Sequence, residues 1–410
     1  MTLWEELNYR GLVKDVAGED IGKKLDNEKI SFYWGTDPTA DSLHIGHYSS
    51  LVTAKRLANA GHKPILLVGG ATGLIGDPRP TAEREIISYE KLNENKEKLK
   101  KQVKKLVGEN VEVVDNYDWT KEFDYITFLR DIGKYINVNY MLNKDIIARR
   151  LESGITYAEF SYTLIQGNDF LHLFENKNCS MQVAGSDQWG NITTGIDLIR
   201  KKTGKEAYGF TMPLVLDANG NKFGKSEGNA LWLDIEKTSS YELYQYLINA
   251  SDELVEDYLK IFTFFTKEEI ENIMKKHLEH PELRTAQKTL GHEIVKDIHG
   301  LEEANRAVKI SEALFSGNVK DLTEKEINDV FKGAPSIEIE GEMTLLDLLV
   351  NNNIASSRRE AREFLSAGSI TINGDKFQDE SQMITKDLAI GGHTMIIRRG
   401  KKKQFVVKFK

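Results

Sequence analysis

Between residues 30 and 230, short apolar runs alternate with longer segments of helical periodicity. The apolar runs predict four strands, at Ile30–Trp34, Pro64–Gly69, Val111–Val114 and Ser180–Ala184. A helix is predicted between the first two strands, over Gly46–Ala60, with Gly61 as its stop signal. Parallel strands need such crossover helices, which then cover the faces of the sheet. We therefore predict an α/β fold built on a doubly wound, mostly parallel sheet.

From Ser239 to Phe331 the periodicity is purely helical. Three capping boxes predict helix starts: Ser239 with Glu242, Thr266 with Glu269, and Thr323 with Glu326. Pro281 is predicted to begin another helix, because the first helical residue does not need its N–H. A helical bundle is thus expected after the sheet domain. Inside the sheet domain, a charged surface helix is expected over Glu83–Val107.

The C-terminal part begins with a change of composition. The segment 332–342 contains Gly333, Pro335 and Gly341 with little periodicity, and it is predicted to be a linker. Beyond it we predict two short helices and three strands, at Leu345–Val350, Ser357–Ser366, Ser369–Asn373, Thr394–Arg398 and Gln404–Phe409. The predicted domains are a sheet domain over 1–232, a helical domain over 233–331 and a small α+β domain over 343–410.

Charge is distributed unevenly along the chain. The net charge is −8, from 55 Lys and Arg against 63 Asp and Glu. Residues 343–410 carry 12 basic and 7 acidic residues, a balance of +5, which leaves −13 on the rest. An acidic body with a basic end indicates a module that meets a polyanion such as nucleic acid, although a solvated terminus would show the same pattern.

Cysteine content and apolar stretches bear on the location of the protein. The one cysteine, Cys179, excludes an internal disulfide framework and a cysteine zinc cluster. The start, Met1–Val13, is too acidic for a signal or transit peptide. The most apolar stretch, Pro64–Gly76, is short of a membrane span and interrupted by glycines. We therefore expect a cytoplasmic protein without a membrane segment.

Residues 35–47 join the first predicted strand to its helix, which is where open α/β sheets place ligands. A helix N-terminus there presents free N–H groups to a phosphate. His44 and His47 would add side-chain donors, Thr39 a hydroxyl, and Gly46 would let a flat base approach the backbone. Two histidines three residues apart are also common as packing or surface residues. A zinc site would need a third ligand, which the spacing does not provide.

Two glycine-containing turns follow other predicted strands. The four glycines of segment 68–78 could cradle a phosphate or build a tight turn, and Asp77 could hold an ammonium group or cap that turn. The fingerprint GxGxxG is absent from it, so a nicotinamide enzyme is a weak alternative. In segment 183–191, Gly185 would permit close approach of a ligand. Asp187 would accept hydrogen bonds from ribose hydroxyls or would cap the next helix.

A polar row lies on the helix predicted from about Thr156 to Phe174. Tyr162, Gln166 and Asp169 are spaced by four and then three residues, so all three share one face. A phenol, an amide and a carboxylate in one row could bind a molecule that has both an amine and a hydroxyl. The same row would also suit an ordinary polar helix face.

Two lysines follow an Asn-Gly turn near residue 220. Lys222 and Lys225 flank Gly224 and could close over a triphosphate or form an exposed basic loop. A Walker P-loop is not supported, because three residues instead of four separate Gly220 from Gly224.

The order of these motifs resembles that of the class I aminoacyl-tRNA synthetases. His44–His47 matches the "HIGH" signature of that class, and Lys222–Ser226 matches its "KMSKS" signature in the form KFGKS. Within the class the chain resembles the bacterial tyrosyl-tRNA synthetases, since DPTADSLHIGH, VGGATGLIGDP and GSDQWGN all stand where that family has them. The resemblance covers essentially the whole chain, including the helical domain and the basic tail.

The resemblance implies a Rossmann-like catalytic domain and a role for each motif residue. The implied tyrosine ligands are Tyr33 and Asp169 for the phenolic hydroxyl, Asp77, Tyr162 and Gln166 for the ammonium group, and Gln182. The implied ATP ligands, mainly around the adenosine, are Gly35, Asp37, Gly46, His47, Gly185, Asp187, Gln188 and Lys225. The implied catalytic residues, which grip the triphosphate or close over the pyrophosphate, are Thr39, His44, His47, Lys222, Lys225 and Ser226.

The resemblance also implies the reaction and the partners. Tyrosine would be activated by ATP, with Mg-pyrophosphate leaving, and then transferred to the 3′-terminal adenosine of its tRNA. ATP with Mg²⁺ would be a substrate, and no tightly bound cofactor or protein metal site is implied. The family is homodimeric, and the C-terminal domain looks like an RNA-binding fold of the ribosomal-protein type. Its expected tRNA contacts are Arg398, Arg399, Lys401, Lys402, Lys403, Lys408 and Lys410, a cluster with no acidic neighbour in the sequence.

Two positions depart from the family pattern, and two alternatives stay open. Trp34 stands where relatives have a smaller residue, often cysteine, and the segment after Asp77 lacks a lysine found in some relatives, although Arg84 could reach the pyrophosphate. A tryptophanyl enzyme shares the fold and both signatures, but it has no use for a carboxylate aimed at a phenol. A synthetase-derived RNA-binding protein without catalysis would not need the retained histidines and lysines.

Overall fold

The structure is a computed structural model that describes residues 1–78, 87–151, 153–226, 229–316, 318–331, 334–400 and 403–410. The chain forms two compact units. The first contains Met1–Thr238 and Leu247–Ile298, and the second contains Ser239–Tyr246 and His299–Lys410. These units divide the helical segment differently from the predicted domains, so the boundaries at 232, 331 and 342 stay a prediction.

The first unit is built around a six-stranded sheet. Its strands are β1 Val16–Ala17, β2 Ser31–Thr36, β3 Lys63–Val68, β4 Glu112–Asp115, β5 Cys179–Gly185 and β6 Tyr208–Met212. Their order is β1-β6-β5-β2-β3-β4, and all neighbours are parallel except β1 and β6. The predicted mostly parallel sheet is confirmed, and β2 to β5 are the four predicted strands.

Two strands of this sheet escaped prediction. β1 has only two residues, too few for a periodic signal. β6 has the sequence Tyr-Gly-Phe-Thr-Met, and an interior glycine weakens a strand signal. All five residues of β6 are buried. Packing against the neighbouring elements therefore stabilises this strand, although its local strand propensity is weak.

Eleven α-helices among the described residues accompany this sheet. They are α1 Leu3–Tyr9, α2 Ile21–Asn27, α3 Ile45–Asn59, α4 Thr72–Ile75, α5 Tyr89–Val107, α6 Tyr117–Thr120, α7 Tyr125–Asp131, α8 Val138–Leu142, α9 Asp145–Ala148, α10 Tyr157–Lys177 and α11 Trp189–Thr203. The predicted helices over 46–60 and 156–174 are α3 and α10. The helix predicted over 83–107 is α5 from Tyr89 onward, and residues 83–86 lie outside the described residues.

The register of the central strands places polar side chains at the carboxyl edge of the sheet. Tyr33 on β2 lies beside Gln182 on β5 and beside Ile65 on β3. The ring of Phe170, on α10, meets the Tyr33 ring edge to face at 5.3 Å between centroids. This apolar contact fixes the depth at which α10 packs on the sheet, so the preceding turns of α10 reach the same edge.

The rest of the first unit is helical and is held to α3. It contains the hairpin β7 Lys225–Ser226 and β8 Asn229–Ala230, and later the helices α13 Val255–Phe262, α14 Lys267–Glu279 and α15 Thr285–His299; α12 spans Ser240–Ile248. Arg10 and Arg56 both donate to the carbonyl oxygen of Thr263, which follows α13. These buried guanidinium contacts attach the end of α13 to α1 and α3.

The predicted capping boxes are present, but the prediction at Pro281 is wrong. Ser239, Thr266 and Thr323 each exchange hydrogen bonds with the glutamate three residues later. Pro281–Leu283 forms only a 3₁₀ turn, and α15 begins at Thr285. The reason is Arg284, whose backbone is left-handed with φ of 51° and interrupts the helix.

The second unit combines helices with a five-stranded sheet. Its helices are α16 Leu301–Ser316, α17 Glu324–Val330, α18 Leu345–Asn351 and α19 Arg358–Ser366. Its strands are β9 Ser336–Ile339, β10 Met343–Thr344, β11 Ile370–Ile372, β12 Asp375–Lys376, β13 Met383–Ile384, β14 Thr394–Arg399 and β15 Lys403–Phe409. The sheet order is β12-β11-β14-β15-β9, while β10 pairs with β13. The two short helices and three strands predicted here are confirmed.

The predicted linker over 332–342 contains a strand. β9 pairs in parallel with β15, and its Ile337 and Ile339 enter the core of the second unit. The alternation Ser-Ile-Glu-Ile was the local signal, outweighed in the prediction by the flanking Gly333, Pro335 and Gly341. Among the residues that the structure describes, no helix has the length and apolarity that a membrane crossing requires.

Candidate active site

A cavity of about 500 Å³ opens at the carboxyl edge of the main sheet. Its lining includes every predicted site residue whose side chain is described: Tyr33, Gly35, Asp37, Thr39, His44, Gly46, His47, Asp77, Tyr162, Gln166, Asp169, Gln182, Gly185, Asp187, Gln188 and Lys222. The side chains of Lys225 and Ser226 lie outside the described part of the chain, as does Arg84. The edge where parallel strands end thus gathers residues from widely separated turns, as open α/β sheets do.

The two histidines form a stacked pair at the N-terminus of α3. Their ring centroids are 3.8 Å apart. His44 Nδ1 accepts the N–H of Gly46 at 3.1 Å, and His47 Nδ1 accepts the N–H of His44 at 3.3 Å. Because both Nδ1 atoms accept backbone protons, each neutral ring carries its own proton on Nε2. The caps therefore set two Nε2–H donors beside a helix N-terminus that favours anions.

Gly46 has a packing reason of its own. A Cβ atom added at Gly46 would lie 2.9 Å from the His44 ring. Glycine at this position therefore lets the His44 ring fold back over the first turn of α3. This contact does not test the prediction that Gly46 lets a flat base of the ligand approach the backbone.

Four polar side chains line the part of the cavity between β2, β5 and α10. We call this part the polar slot and define it as Tyr33, Gln166, Asp169 and Gln182. Tyr33 and Asp169 are 2% and 1% exposed. The Tyr33 hydroxyl, Gln166 Oε1 and Gln182 Oε1 are buried and find no hydrogen-bond partner among the described residues. Buried polar atoms are nearly always paired, so three unpaired ones in one slot indicate a place for a polar ligand.

Asp169 is held by two residues that the sequence analysis missed. Trp119 donates its indole N–H to Asp169 Oδ1 at 2.8 Å, and Asn116 donates its amide to Asp169 Oδ2 at 2.9 Å. Both residues follow the carboxyl end of β4, one of the predicted strands. The rule that ligands bind outside the carboxyl ends of strands would have drawn attention to this turn.

A second group of polar side chains, the acidic corner, contains Asp37, Asp77, Tyr162, Gln188 and Asn191. Tyr162 donates to Asp37 Oδ2 at 2.9 Å, and Thr72 donates to Asp37 Oδ1 at 2.6 Å. Gln188 and Asn191 donate to the two oxygens of Asp77 at 2.8 and 3.4 Å. Asn191 and Thr72 were not predicted. Of the glycine-rich segment 68–78, only Thr72 and Asp77 line the cavity within the described residues, so its glycines build a tight turn.

The charges in the cavity are unbalanced. Four aspartates line it, at positions 37, 77, 169 and 187, and Lys222 is the one lysine or arginine among its described lining residues. Burial raises the pKa of Asp169 to about 7, against the donors Asn116 and Trp119. Burial also raises the pKa of Asp77 to about 7, with the charges of Asp37 and Asp187 adding to the effect. The site is therefore suited to a ligand that brings a positive charge.

The lysine segment forms a short hairpin next to the histidines. Lys222 lines the cavity and is exposed. Lys225 and Ser226 pair with Ala230 and Asn229 as the two strands of the hairpin, with residues 227–228 outside the described residues. Gly224 has φ of 86°, and a Cβ atom there would collide with Ile45 of α3. Glycine thus lets the base of the hairpin lie against the start of α3.

Trp34, which departs from the resembled family, lines the same cavity. Its indole N–H donates to Ser50 Oγ at 2.9 Å, and Ser50 donates to the carbonyl of His47 at 3.0 Å. The larger side chain is therefore anchored to the first turns of α3. Within the described residues, no group of three or more His, Cys, Asp or Glu side chains is arranged to hold a metal ion.

Two family models of known proteins match this chain, one after the other along the sequence. The family model described as "tRNA synthetases class I (W and Y)" matches residues 24–316. A second model, described as "Tyrosine--tRNA ligase SYY-like C-terminal domain", matches residues 326–407. Together the two matches span most of the chain.

Individual relatives agree with the family models. The tyrosine–tRNA ligase of Bacillus pumilus is 49% identical over 419 residues, covering 100% of this chain and 99% of the relative. That of Geobacillus stearothermophilus is 47% identical over 418 residues, covering 100% of both chains. A crystal structure of a C-terminally truncated mitochondrial tyrosyl-tRNA synthetase from Aspergillus nidulans superposes with a TM-score of 0.69 at 33% identity, covering 77% of this chain and 94% of that one. The chain therefore belongs to the class I tRNA synthetases and, within them, to the tyrosine–tRNA ligases.

Proposed function

We propose that this protein joins tyrosine to tRNA in two steps within the cavity of the sheet domain. In the first step the tyrosine carboxylate attacks the α-phosphate of ATP, a P–O bond forms, and pyrophosphate leaves with Mg²⁺. In the second step a hydroxyl of the 3′-terminal adenosine of tRNA attacks the carbonyl carbon, and AMP leaves. The observation that carries the proposal is that the polar slot and the histidine pair line one cavity.

The polar slot would recognise the phenol of tyrosine. Its hydroxyl would donate to Asp169 and accept from Tyr33, whose own hydroxyl lacks a partner among the described residues. Burial, followed by the charge of Asp169, raises the pKa of Tyr33 well above its usual value, which keeps Tyr33 a donor. Phenylalanine would leave the Tyr33 hydroxyl unpaired, at a cost of about 1–3 kcal/mol for such a group. It would also offer no donor to Asp169, which would keep only Asn116 and Trp119.

The acidic corner would take the α-ammonium group of tyrosine. Asp77 and Asp37 supply carboxylates, and Tyr162 with Gln166 from α10 completes the contacts. The ammonium group would bring the positive charge that the described lining lacks, apart from Lys222. Its arrival would favour the ionised form of Asp77, which burial disfavours in the empty site.

The histidine pair and the lysine hairpin would act on the phosphates. The carboxylate of tyrosine is already a nucleophile, so the reaction needs no general base, and charge moves onto the leaving pyrophosphate. Thr39, His44 and Lys222 would donate to this charge, with Lys225 and Ser226 on the hairpin, while Gly35, Gly46, His47, Gly185, Asp187 and Gln188 would surround the adenosine. Each donor that tightens in the transition state contributes about 3 kcal/mol in comparable sites.

Pyrophosphate exchange tests the proposal most directly. The protein, ATP, Mg²⁺ and labelled pyrophosphate are incubated with each of the twenty amino acids in turn. We expect labelled ATP with tyrosine and essentially none with phenylalanine or tryptophan. Exchange with tryptophan instead of tyrosine would overturn the substrate assignment, and no exchange with any amino acid would overturn the activity.

We further propose a cytoplasmic homodimer whose basic C-terminal strands contact tRNA. Exposed large apolar side chains are concentrated between residues 125 and 157: Tyr125, Ile126, Val138, Tyr140, Leu151 and Tyr157. Such a concentration supports a protein interface. A cytoplasmic location is supported by the substrates, which meet there, and by a lone thiol that a reducing compartment preserves. Sedimentation equilibrium at micromolar concentration tests the dimer, and a monomer would contradict it.

A further inference from the structure

His44 is held between two elements that the proposed mechanism does not use. On one side, the segment 231–233 follows the lysine hairpin and forms an antiparallel bridge with His44. Leu233 donates its N–H to the carbonyl of Leu43 at 2.8 Å, and Ile45 donates to the carbonyl of Leu231 at 2.9 Å. The main chain on either side of His44 is therefore attached to the base of the hairpin.

On the other side lies α5, which contributes Gln102. Gln102 Oε1 accepts the N–H of Leu43 at 2.7 Å, and Gln102 Nε2 donates to Ser42 Oγ at 3.1 Å. Both groups of this amide are used, so its orientation is determined by its partners. Gln102 thus binds the two residues that immediately precede His44.

Ser42 connects the two sides. Its hydroxyl accepts from Gln102, accepts the N–H of Asp234 at 3.2 Å, and donates to the carbonyl of Leu43 at 2.8 Å. One donor and two acceptor positions are thus all occupied, and the side chain is 3% exposed. The hydroxyl joins α5, the His44 segment and the chain beyond the hairpin at one point.

Nearer the surface, salt bridges of Asp41 join the same parts of the chain. Asp41 accepts from Lys98 of α5 at 2.9 Å and from Lys237 at 2.6 Å. Lys98 lies one helical turn before Gln102, and Lys237 lies three residues beyond Asp234. The salt bridges are partly solvated and add little energy themselves, but they join the same three parts of the chain.

We propose that Gln102, acting through Ser42, is a positioning residue for His44 and for the base of the lysine hairpin. Gln102 lies outside the cavity lining, whereas Ser42 and Leu43, which it contacts, are part of that lining. Its amide holds the main chain before His44, so the ring and the hairpin keep one geometry relative to the phosphates. The inference rests on the proposed function, because it assumes that His44 assists adenylate formation. A displacement of about 1 Å at such a donor is enough to slow a reaction.

A double-mutant cycle tests this role. Gln102→Met keeps the length of the side chain and removes both hydrogen bonds, and His44→Ala removes the ring. Stopped-flow tryptophan fluorescence follows the single-turnover formation of tyrosyl-adenylate. Lys100→Met is the matched control: Lys100 lies on the same helix and forms an ion pair with Glu97 at 3.1 Å. Tyrosine affinity and thermal unfolding are measured for every variant, and Ser42→Ala replaces Gln102→Met if the latter does not fold.

We expect Gln102→Met to slow adenylate formation roughly tenfold, with tyrosine affinity and the control variant unchanged. In the His44→Ala background the same substitution should cause much less slowing, because the ring that it positions is gone and only its effect on the base of the hairpin remains. Equal slowing in both backgrounds, or none in the wild-type background, overturns the inference while leaving the proposed function intact. If His44→Ala alone leaves the rate unchanged, the proposed role of His44 fails and the inference fails with it.

Discussion

The buried carboxyl groups of Asp77 and Asp169 lower the stability of the folded protein when they ionise. Burial raises the pKa of each carboxyl group from 3.8 to about 7. In the folded protein these groups therefore hold protons that the unfolded chain releases as the pH rises above about 4. Their contribution to stability is fully present below that pH and is lost as the pH rises through about 7. Ionisation of these buried carboxyl groups thus destabilises the folded protein at neutral pH, and we expect a cationic ligand beside Asp77 to offset part of this cost.

The substitution Asp77→Asn should stabilise the empty protein at pH 8 by about 2 kcal/mol, because the amide cannot ionise. The gain should disappear near pH 4, where the carboxyl is protonated in both states. Denaturant unfolding without ligands at pH 4, 6 and 8 measures it. Tyrosine affinity should fall at least tenfold in the same variant. A stability difference that is constant over these pH values would contradict the pKa assignment.

Trp119 should matter for tyrosine binding although it lies outside the cavity lining, because it donates to Asp169. Trp119→Phe keeps the ring that stacks on His172 at 4.3 Å but removes the N–H donated to Asp169. With one donor lost, the pKa of Asp169 rises further, and its carboxylate is a poorer acceptor at pH 7.

We expect tyrosine affinity to fall roughly tenfold in Trp119→Phe, with ATP affinity unchanged, as measured by equilibrium dialysis. Part of the loss should be recovered at pH 8.5, where Asp169 ionises again. Trp4→Phe, whose ring packs against Phe210, serves as the control for a tryptophan away from the slot. Equal losses in both variants would rule out a specific role for Trp119.

At the scale of elements, the site depends on how α3, α10 and the lysine hairpin meet the sheet. α10 carries Tyr162, Gln166 and Asp169 along one face, and Phe170 fixes its depth against β2. The hairpin approaches α3 through Gly224, because any side chain there would enter the space of Ile45. The backbone at the base of the hairpin is therefore constrained by its contact with α3.

Gly224→Ala should slow adenylate formation at least tenfold while leaving tyrosine affinity nearly unchanged. The added methyl must displace the hairpin base from α3, and alanine also disfavours φ of 86°. Gly220→Ala is a matched control in the same loop, since it has φ of 77° but open space around its Cβ position. Single-turnover kinetics compare the two variants. Similar slowing in both would mean that backbone strain, and not contact with α3, controls the loop.

At the scale of the whole molecule, the segment of the second unit from β9 to β15 shares one apolar core. A truncation at 343 would remove the partner of β9 and expose Ile337 and Ile339, so it would test folding as much as tRNA binding. The basic cluster is also less uniform than the sequence indicated. The Nζ of Lys410 lies 3.0 Å from the Oε2 of Glu338 on β9, an acidic partner that is distant in the sequence.

Point substitutions in this cluster separate tRNA binding from folding. Lys403→Ala should raise the KM for tRNA several-fold and lower the salt dependence of charging, since an exposed phosphate contact is lost. Lys410→Ala should have a smaller effect, because Glu338 already neutralises that lysine. Pyrophosphate exchange should be unchanged in both. A loss of exchange in Lys403→Ala would argue against separate roles for the two units.

Local patterns in the sequence were sufficient for the main elements and for most of the candidate residues. Helical spacing identified the row on α10, and strand-turn-helix junctions identified the ligand-binding edge near residues 35–47 and 183–191. These features can be predicted from the sequence because side-chain direction follows directly from helix and strand periodicity. The order of the motifs then indicated the family, which the comparisons confirm.

Contacts between distant parts of the chain were decided only by the tertiary structure. Trp119 meets Asp169 and Gln102 meets Leu43 across separations of 50 and 59 residues, and β9 finds its partner 70 residues away at β15. No local pattern encodes such neighbours, because sheet order and helix docking determine them. The pKa values near 7 of Asp77 and Asp169 arise in the same way, since burial is a property of the assembled core.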